Sequence, residues 1–324
     1  MDRFVTNRLT GIAITGATAS GKSDFALQLA RSLRDDRQIN AEIICCDSVQ
    51  VYRGFDIGAA KPAPEERAEF PHHLIDIVTW RDEFDAGKYA ALARNLVAEI
   101  KSRGALPIFV GGSGLYLRAF FGQGFAENLP KDRELRDQLD EIATDELFTE
   151  LKAIDPVRAG QLHPNDRVRI LRAVELCRLT AGPVSAQMPD HGRVTARKTP
   201  EREQTHLVFL NPERPILHQR IAERAKSMLI GGLLEEVQGL VITGCPATAK
   251  PMQAIGYRET LVALQAAGGV IPRIDLGALA EQIIVATRQY AKRQTTWFKG
   301  TSPDQTVGSL THYQSVIAGL CALR

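Results

Sequence analysis

The sequence predicts an α/β protein in which a parallel sheet is flanked by helices and carries a mostly helical insertion. Residues 11–124 alternate short β-branched runs with helical periodicity, which is typical of parallel strands connected by helices. From about residue 125 to residue 200 the strand signals vanish and helical signals dominate. We therefore expect a core of residues 1–124 and 203–324, with an insertion of residues 125–202.

The first predicted strand and helix enclose a glycine-rich loop. The apolar run at residues 12–15 predicts a buried strand, and the residues from Ser23 onward have the pattern of an amphipathic helix. In this context the loop matches a phosphate-binding motif, G-x-x-x-x-G-K-S, whose glycines let backbone N–H groups point at an anion. Lys22 supplies a positive charge, and the Ser23 hydroxyl is placed to ligate Mg²⁺. The loop predicts a diphosphate or triphosphate site and leaves open whether ATP is bound there: Gly16, Ala17, Thr18, Ala19, Ser20, Gly21, Lys22 and Ser23.

Two further strands, at residues 42–46 and 107–110, end in segments able to hold a ligand. The first is followed by Asp47 and Gln50, and the second runs into the glycines around Ser113. Because ligands bind at the carboxyl ends of parallel strands, we expect these segments to converge with the phosphate loop. Asp47 could accept a proton or hold a metal through water, and Gln50 suits reading a base edge. The alternatives are a turn aspartate and a surface glutamine.

The chain after the insertion predicts a strand at residues 206–210 and helices at residues 215–228 and 279–298. Arg288 and Lys292 are i,i+4 neighbours on the last helix and could clamp a diphosphate, although a solvated helix face is the alternative. The strand predicted at residues 107–110 runs into glycines and lacks the acidic pair of a Walker B motif, which disfavours an ordinary ATPase.

The predicted insertion has an uneven distribution of charge. Residues 125–150 contain nine acidic and three basic side chains, whereas residues 151–200 contain nine basic and four acidic ones. A helix is predicted from Asp166 to about Leu179 with Asn165 as its N-cap, and residues 182–200 predict a mobile basic loop. Four apolar side chains share one face of this helix, with Arg169 and Arg172 on the other: Ile170, Ala173, Val174 and Cys177. The basic segment predicts either a surface for a polyanion or an ordinary solvated face.

The overall composition indicates a cytoplasmic protein. The chain has 324 residues, of which 44% are hydrophobic and 24% charged, and its net charge is +2. It contains no run of 18 apolar residues, and residues 1–10 are too short and polar for a signal peptide. The five cysteines show no metal-ligand spacing, so we expect reduced thiols in or near the core.

Several of these segments, taken together, resemble the tRNA dimethylallyltransferase family. The resemblance runs almost end to end and rests on the phosphate loop, the D-S-V-Q turn, and a series of later blocks: residues 56–62, 72–76, 111–116, 254–259 and 287–298. Members of that family transfer a dimethylallyl group from its diphosphate to the exocyclic amine of the adenine 3′ of the tRNA anticodon. The resemblance implies a phosphate-loop sheet that binds a prenyl diphosphate, and a helical insertion that grips the anticodon stem.

The resemblance also implies roles for individual residues. Asp47 would be the general base and Gln50 would help to hold the flipped adenine. Lys22, the loop N–H groups, Mg²⁺ and Arg220 would stabilise the departing diphosphate, with Ser113 donating to the bridging or departing oxygen. Two positions depart from the family pattern, because Ala17 stands where proline is frequent and Ser113 where threonine is usual. The implied tRNA contacts are Asp47, Ser48, Val49, Gln50, Val168, Arg169, Ile170, Leu171, Arg172, Gln253, Ala254, Ile255, Gly256, Tyr257 and Arg258.

Three other functions stay open at this point: a small-molecule kinase, a prenyltransferase acting on free adenine nucleotides, and a nucleic-acid-binding ATPase. The helical insertion argues against a free nucleotide as acceptor, which would need no stem clamp. Because one chain contains both the donor and the acceptor segments, we expect a monomer.

Overall fold

A computed structural model of the chain describes residues 11–122, 130–185, 199–308 and 313–322. Contacts between Cα atoms divide the chain into two units. The first comprises Met1–Phe121 and Lys198–Arg324, and the second comprises Gly122–Arg197. These bounds lie a few residues from those expected from the sequence.

The described residues form six strands and fourteen α-helices. The strands are β1 (Gly11–Gly16), β2 (Ala41–Cys45), β3 (His72–His73), β4 (Leu106–Gly111), β5 (Thr205–Leu210) and β6 (Gln305–Val307). The helices are α1 (Lys22–Arg37), α2 (Pro64–Glu69), α3 (Ala86–Ser102), α4 (Gly114–Phe120), α5 (Arg133–Asp140), α6 (Thr144–Ile154), α7 (Pro156–Gly160), α8 (Arg167–Leu179), α9 (Pro200–Glu203), α10 (Arg214–Ile230), α11 (Leu233–Ile242), α12 (Tyr257–Ala266), α13 (Leu276–Lys299) and α14 (Tyr313–Ala322).

The first unit is a parallel sheet with the strand order β3-β2-β4-β1-β5-β6. Alternate side chains of its strands enter two layers, as expected from the pleat. Ile12 and Ile108 pack into one cluster with α1 and α14. On the opposite face, Phe109 meets Phe120 of α4 with ring centroids 4.5 Å apart. The predicted α/β class, with helices on both faces of a parallel sheet, is confirmed.

The chain leaves the neighbouring strands β1 and β4 toward opposite faces of the sheet. The loop after β1 leads to α1, which packs on one face, and the loop after β4 leads to α4 on the other. A crevice forms at the carboxyl ends of two adjacent parallel strands whose connections diverge in this way. The topology therefore places the phosphate loop and the second glycine-rich loop side by side.

The second unit contains α5 to α8 around its own apolar core, which includes Leu147, Leu151, Ile170 and Val174. The helix predicted from residue 166 begins one residue later, and its N-cap is Asp166 rather than Asn165. The Asp166 carboxylate accepts a hydrogen bond from the backbone N–H of Arg169, which satisfies a donor of the first helical turn. Most of the predicted basic loop, residues 186–198, lies outside the described residues.

No helix among the described residues is both long enough and apolar enough to cross a membrane.

Candidate active site

A cavity of about 500 Å³ lies at the carboxyl edge of the sheet in the first unit. Its walls come from the loops after β1, β2 and β4, from residues 59–75, and from α10 and α13. The expected convergence of the three strand-end segments is confirmed. The polar side chains that line it belong to Thr18, Lys22, Ser23, Asp24, Asp47, Gln50, Lys61, Glu66, His72, Arg220, Glu223, Arg224, Ser227, Tyr290 and Gln294.

The phosphate loop exposes one part of its length to this cavity and buries the rest. Thr18, Ala19 and residues 21–23 line the cavity, whereas Ala17 and Ser20 are buried behind them. Gly16 must be glycine, because a Cβ atom there would lie 2.6 Å from both the Leu210 carbonyl oxygen and the Ser20 hydroxyl. Tight packing behind the loop thus fixes the backbone that faces the cavity.

Lys22 is the first cation of the cavity wall. Its Nζ donates to the Ala17 carbonyl oxygen at 2.6 Å, which folds the side chain back across the loop. The pKa of Lys22 is lowered to about 7, mainly by burial and next by the nearby Arg224 charge, and the Asp47 carboxylate partly opposes both effects. An ammonium group that is destabilised in this way gains most from an arriving anion.

Arg224 is a second, half-buried cation of the cavity wall, which sequence reasoning missed. It lies four residues after Arg220 on α10, so both guanidinium groups project from the same side of the helix into the cavity. Burial lowers the pKa of Arg224, and the Asp47 carboxylate partly offsets this effect. Arg220 reaches the phosphate loop, with Nη1 3.5 Å from the Ser20 carbonyl oxygen. The i,i+4 spacing of these arginines was a signal in the sequence that would have found Arg224.

Asp47 both forms a turn and faces the cavity. Its Oδ1 accepts hydrogen bonds from the backbone N–H groups of Val49 at 2.8 Å and Gln50 at 3.2 Å. The turn explanation and the proton-acceptor explanation are therefore compatible, because the turn uses Oδ1 while the carboxylate lines the cavity. The same hydrogen bonds fix the direction in which the carboxylate points.

The Gln50 amide is bound within the protein. Its Nε2 donates to the Ala59 and Ala60 carbonyl oxygens, both at 3.0 Å, and its Oε1 accepts from the Cys45 thiol at 2.9 Å. Gln50 is thus not the free surface glutamine of the alternative interpretation. The structure shows it joining the turn after β2 to residues 59–60.

Ser113 lies beside the cavity rather than on its wall. The backbone N–H of Ser48 donates to Ser113 Oγ at 3.0 Å, so the hydroxyl ties the two strand-end loops together. Gly111 and Gly112 form the wall at this point instead. A Cβ atom on Gly111 would lie 1.9 Å from the Cys46 carbonyl oxygen, which explains the glycine there.

The last long helix, α13, contributes different residues from those predicted. Gln294 accepts from the Thr18 N–H at 2.8 Å and donates to the Gly112 carbonyl oxygen at 2.9 Å, so it bridges the two glycine-rich loops. Tyr290, one turn earlier, also faces the cavity, and burial raises its pKa to about 12. Arg288 does not line the cavity; its charge lies beside His218 and lowers the pKa of that imidazole, after burial. The predicted diphosphate contact by Arg288 is thus not part of this cavity.

The expected tRNA contacts at residues 253–258 divide into exposed and buried side chains. Gln253 and Arg258 are exposed, and Ala254 and Ile255 are half-buried. Tyr257 is fully buried in the first unit, so its side chain is not exposed for the predicted contact with tRNA. Its hydroxyl instead donates to Glu236 at 2.6 Å.

The expected contacts on α8 divide in the same way. Ile170 and Leu171 are buried in the core of the second unit, so their side chains are not exposed for the predicted contact with tRNA. Val168 and Arg169 are exposed. Arg172 is half-buried and pairs with the buried Glu175 at 2.8 Å.

Known proteins resemble the chain along most of its length. A family model described as IPP transferase matches residues 50–301. A tRNA dimethylallyltransferase of Geobacter metallireducens is 43% identical over 90% of both chains, and one of Ralstonia pickettii is 42% identical over 92% of this chain and 90% of its own. The crystal structure of a tRNA isopentenylpyrophosphate transferase from Bacillus halodurans is 31% identical, with a TM-score of 0.66, and covers 98% of this chain and 97% of its own. A eukaryotic dimethylallyltransferase captured acting on tRNA is 28% identical, with a TM-score of 0.75, over 97% of this chain and 77% of its own.

Proposed function

We infer that this chain, which belongs to the IPP transferase family, transfers a dimethylallyl group to the exocyclic amine of an adenine in tRNA. The relatives from Geobacter metallireducens and Ralstonia pickettii are named tRNA dimethylallyltransferase, and each aligns with about nine-tenths of this chain. One structural observation supports the chemistry most directly: the phosphate-loop lysine and the Asp47 carboxylate line the same cavity. An anion-binding loop and a proton acceptor are thereby placed within reach of one pair of substrates. The acceptor that we propose is the adenine 3′ of the anticodon.

The donor in this proposal is dimethylallyl diphosphate, held through its phosphates. Cleavage of its carbon–oxygen bond leaves a diphosphate whose negative charge grows in the transition state. Lys22, Arg220 and Arg224 would stabilise that charge from two sides of the cavity, together with N–H groups of the phosphate loop. Ser113 would act indirectly, by holding the loop of Asp47 against the loop of Gly112.

Asp47 is the proposed general base. An adenine amine is a weak nucleophile because its lone pair is delocalised into the ring. The adenine must therefore leave the stack of bases in the tRNA, and its amine must meet a proton acceptor. The electron pair of the amine nitrogen forms the new carbon–nitrogen bond, the carbon–oxygen pair leaves with diphosphate, and a carboxylate oxygen of Asp47 takes the amine proton. Gln50 would hold the adenine pocket open through its bonds to Ala59 and Ala60.

The donor set of the cavity fits Mg²⁺ that is held mainly by the substrate. Among the described residues no cluster of three or more His, Cys, Asp or Glu side chains could hold a metal ion. Ser23, the second residue of α1, is exposed and lines the cavity. A single hydroxyl with phosphate oxygens and water is a usual ligand set for Mg²⁺, which binds few protein groups in phosphate sites. When bound, Mg²⁺ would neutralise part of the diphosphate charge.

Exposed basic residues on both units would contact the RNA. Arg169 of the second unit and Arg258 of the first are exposed, and each has only one acidic partner in the described residues. Phosphate contacts of this kind supply affinity without reading sequence. We further propose a cytoplasmic monomer.

The test is label transfer from radioactive dimethylallyl diphosphate, with Mg²⁺, to unmodified anticodon stem-loop RNA and to AMP in parallel. Labelled RNA with unlabelled AMP is the expected result. Label in AMP alone would identify a nucleotide prenyltransferase instead. Label in neither would contradict transfer, and ATP turnover would then be measured to test a kinase.

A further inference from the structure

The segment at residues 56–61 is held by two side chains that do not reach the cavity. Oε2 of Glu236 accepts from the backbone N–H groups of Asp56 at 3.0 Å and Ile57 at 2.7 Å, and Oε1 accepts from that of Gly58 at 3.3 Å. The next N–H, of Ala59, donates to the Tyr257 hydroxyl at 3.1 Å. Four consecutive amide groups therefore converge on one carboxylate and one phenol.

The carboxylate and the phenol are themselves joined. Tyr257 donates to Oε1 of Glu236 at 2.6 Å, and its fully buried ring packs where Gly58 has no side chain. A Cβ atom on Gly58 would lie 2.5 Å from this ring, so glycine is required for the contact. Burial and the neighbouring carboxylate raise the pKa of Tyr257, which keeps the phenol protonated and able to donate. The arrangement fixes the segment as a rigid piece of backbone.

The carbonyl side of the same segment faces the cavity and holds Gln50. The Gln50 amide donates to the Ala59 and Ala60 carbonyl oxygens, and the Gln50 N–H donates to Asp47 Oδ1. At the end of the segment, Lys61 Nζ bonds to the Tyr52 carbonyl oxygen at 2.7 Å and pairs with Asp76. A continuous path of hydrogen bonds thus runs from Glu236 through this segment to the turn of Asp47.

We propose that Glu236 and Tyr257 are positioning residues for the acceptor side of the reaction. Neither lines the cavity, so they act only through residues 56–61, by fixing the Gln50 amide and the Asp47 turn. The phosphate loop lies on other elements and has no hydrogen bond with this pair among those of the described residues. Loss of either side chain should therefore impair transfer to the adenine and spare binding of the donor. This inference rests on the proposed function.

The experiment compares Tyr257→Phe and Glu236→Gln with the wild-type chain. The phenylalanine keeps the ring against Gly58 and removes the hydroxyl, and the glutamine keeps the size of Glu236 but offers a donor where two N–H groups need an acceptor. Glu235→Gln is the matched control, because Glu235 is exposed on the same helix. Three quantities are measured: the single-turnover rate of transfer to anticodon stem-loop RNA, the donor dissociation constant without RNA, and the thermal unfolding midpoint.

We expect the transfer rate to fall about tenfold in Tyr257→Phe and further in Glu236→Gln, with donor affinity within about twofold of wild type. Wild-type rates in both variants would overturn the inference. The inference would also be overturned if the variants lost donor binding to the same extent as they lost folded protein, since Glu236 and Tyr257 would then only stabilise the fold. Failure of the wild-type chain and the Glu235→Gln control to label RNA would instead contradict the proposed function.

Discussion

Lys22 makes donor binding depend on pH in a direction that the structure fixes. Its pKa in the empty cavity is lowered from 10.5 to about 7, first by burial and then by Arg224. A bound diphosphate supplies the opposite charge and should return the pKa of Lys22 to well above 8.5. The donor then binds the protonated form selectively, so affinity is full below pH 7 and declines as the pH rises through the pKa of the empty site.

The size of the effect follows from the same shift. A lysine with a pKa of about 7 is protonated in roughly 24% of molecules at pH 7.5 and roughly 3% at pH 8.5. The donor dissociation constant should therefore rise about eightfold between these pH values. The lowered pKa corresponds to about 5 kcal/mol of unfavourable free energy in the empty, charged state, which an arriving diphosphate can relieve.

The assay is titration calorimetry of dimethylallyl diphosphate at pH 8.5, without RNA, in two buffers that differ in ionisation enthalpy. The donor phosphates are fully ionised there, since their last pKa is about 6. The wild-type chain should take up nearly one proton per donor bound. Lys22→Arg, whose guanidinium is always charged, should take up almost none and lose the eightfold pH dependence. Equal proton uptake by the two proteins, or a wild-type affinity that does not change with pH, would refute the reasoning.

Three substitutions test the remaining assignments. Asp47→Asn keeps the turn acceptor but removes the base, so transfer should fall by about 10²- to 10⁴-fold in single-turnover assays, while calorimetry still shows donor binding. Arg169→Ala should weaken binding of the stem-loop RNA and reduce the slope of log affinity against log salt by about one, with no change in thermal unfolding. Arg172→Ala should lower the free energy of unfolding by about 2 kcal/mol in urea titration, because it leaves the buried Glu175 carboxylate with only its more distant arginine partner, Arg136 at 3.9 Å. A normal transfer rate, an unchanged salt slope, or an unchanged unfolding curve would contradict these three assignments in turn.

Much of the core architecture was predictable because it follows from local patterns. The apolar runs at residues 12–15, 107–110 and 206–210 lie within β1, β4 and β5, and the helix predicted at residues 279–298 lies within α13. These segments are long or strongly apolar, so their periodicity identifies them. The two-residue strand β3 and the three-residue strand β6 were not predicted, because pairing with a neighbouring strand defines them and no run of that length carries a period.

The candidate site was predictable only where one segment carries the chemistry. The phosphate loop and Asp47 each combine a turn geometry with reactive side chains in a few residues, and both line the cavity. Gln294 belongs to a helix far along the chain, and no local signal shows which face of α13 meets the phosphate loop. Arg224 is equally distant, and only its i,i+4 spacing from Arg220 marks the face of α10 on which it lies. The burial of Tyr257 was unpredictable for the same reason, because it depends on Glu236 and on the missing side chain of Gly58.

The sequence by itself determined the order of strands and helices, the anion-binding loop, and the family to which the chain belongs. Those properties depend on residue type and spacing along the chain. The tertiary structure alone decided which cations share the cavity with Asp47, which residues bridge the two glycine-rich loops, and how residues 56–61 are held. The hydrogen bonds that hold these arrangements join residues 180 to 276 positions apart, and only the packing of the helices on a twisted sheet brings such residues into hydrogen-bond distance.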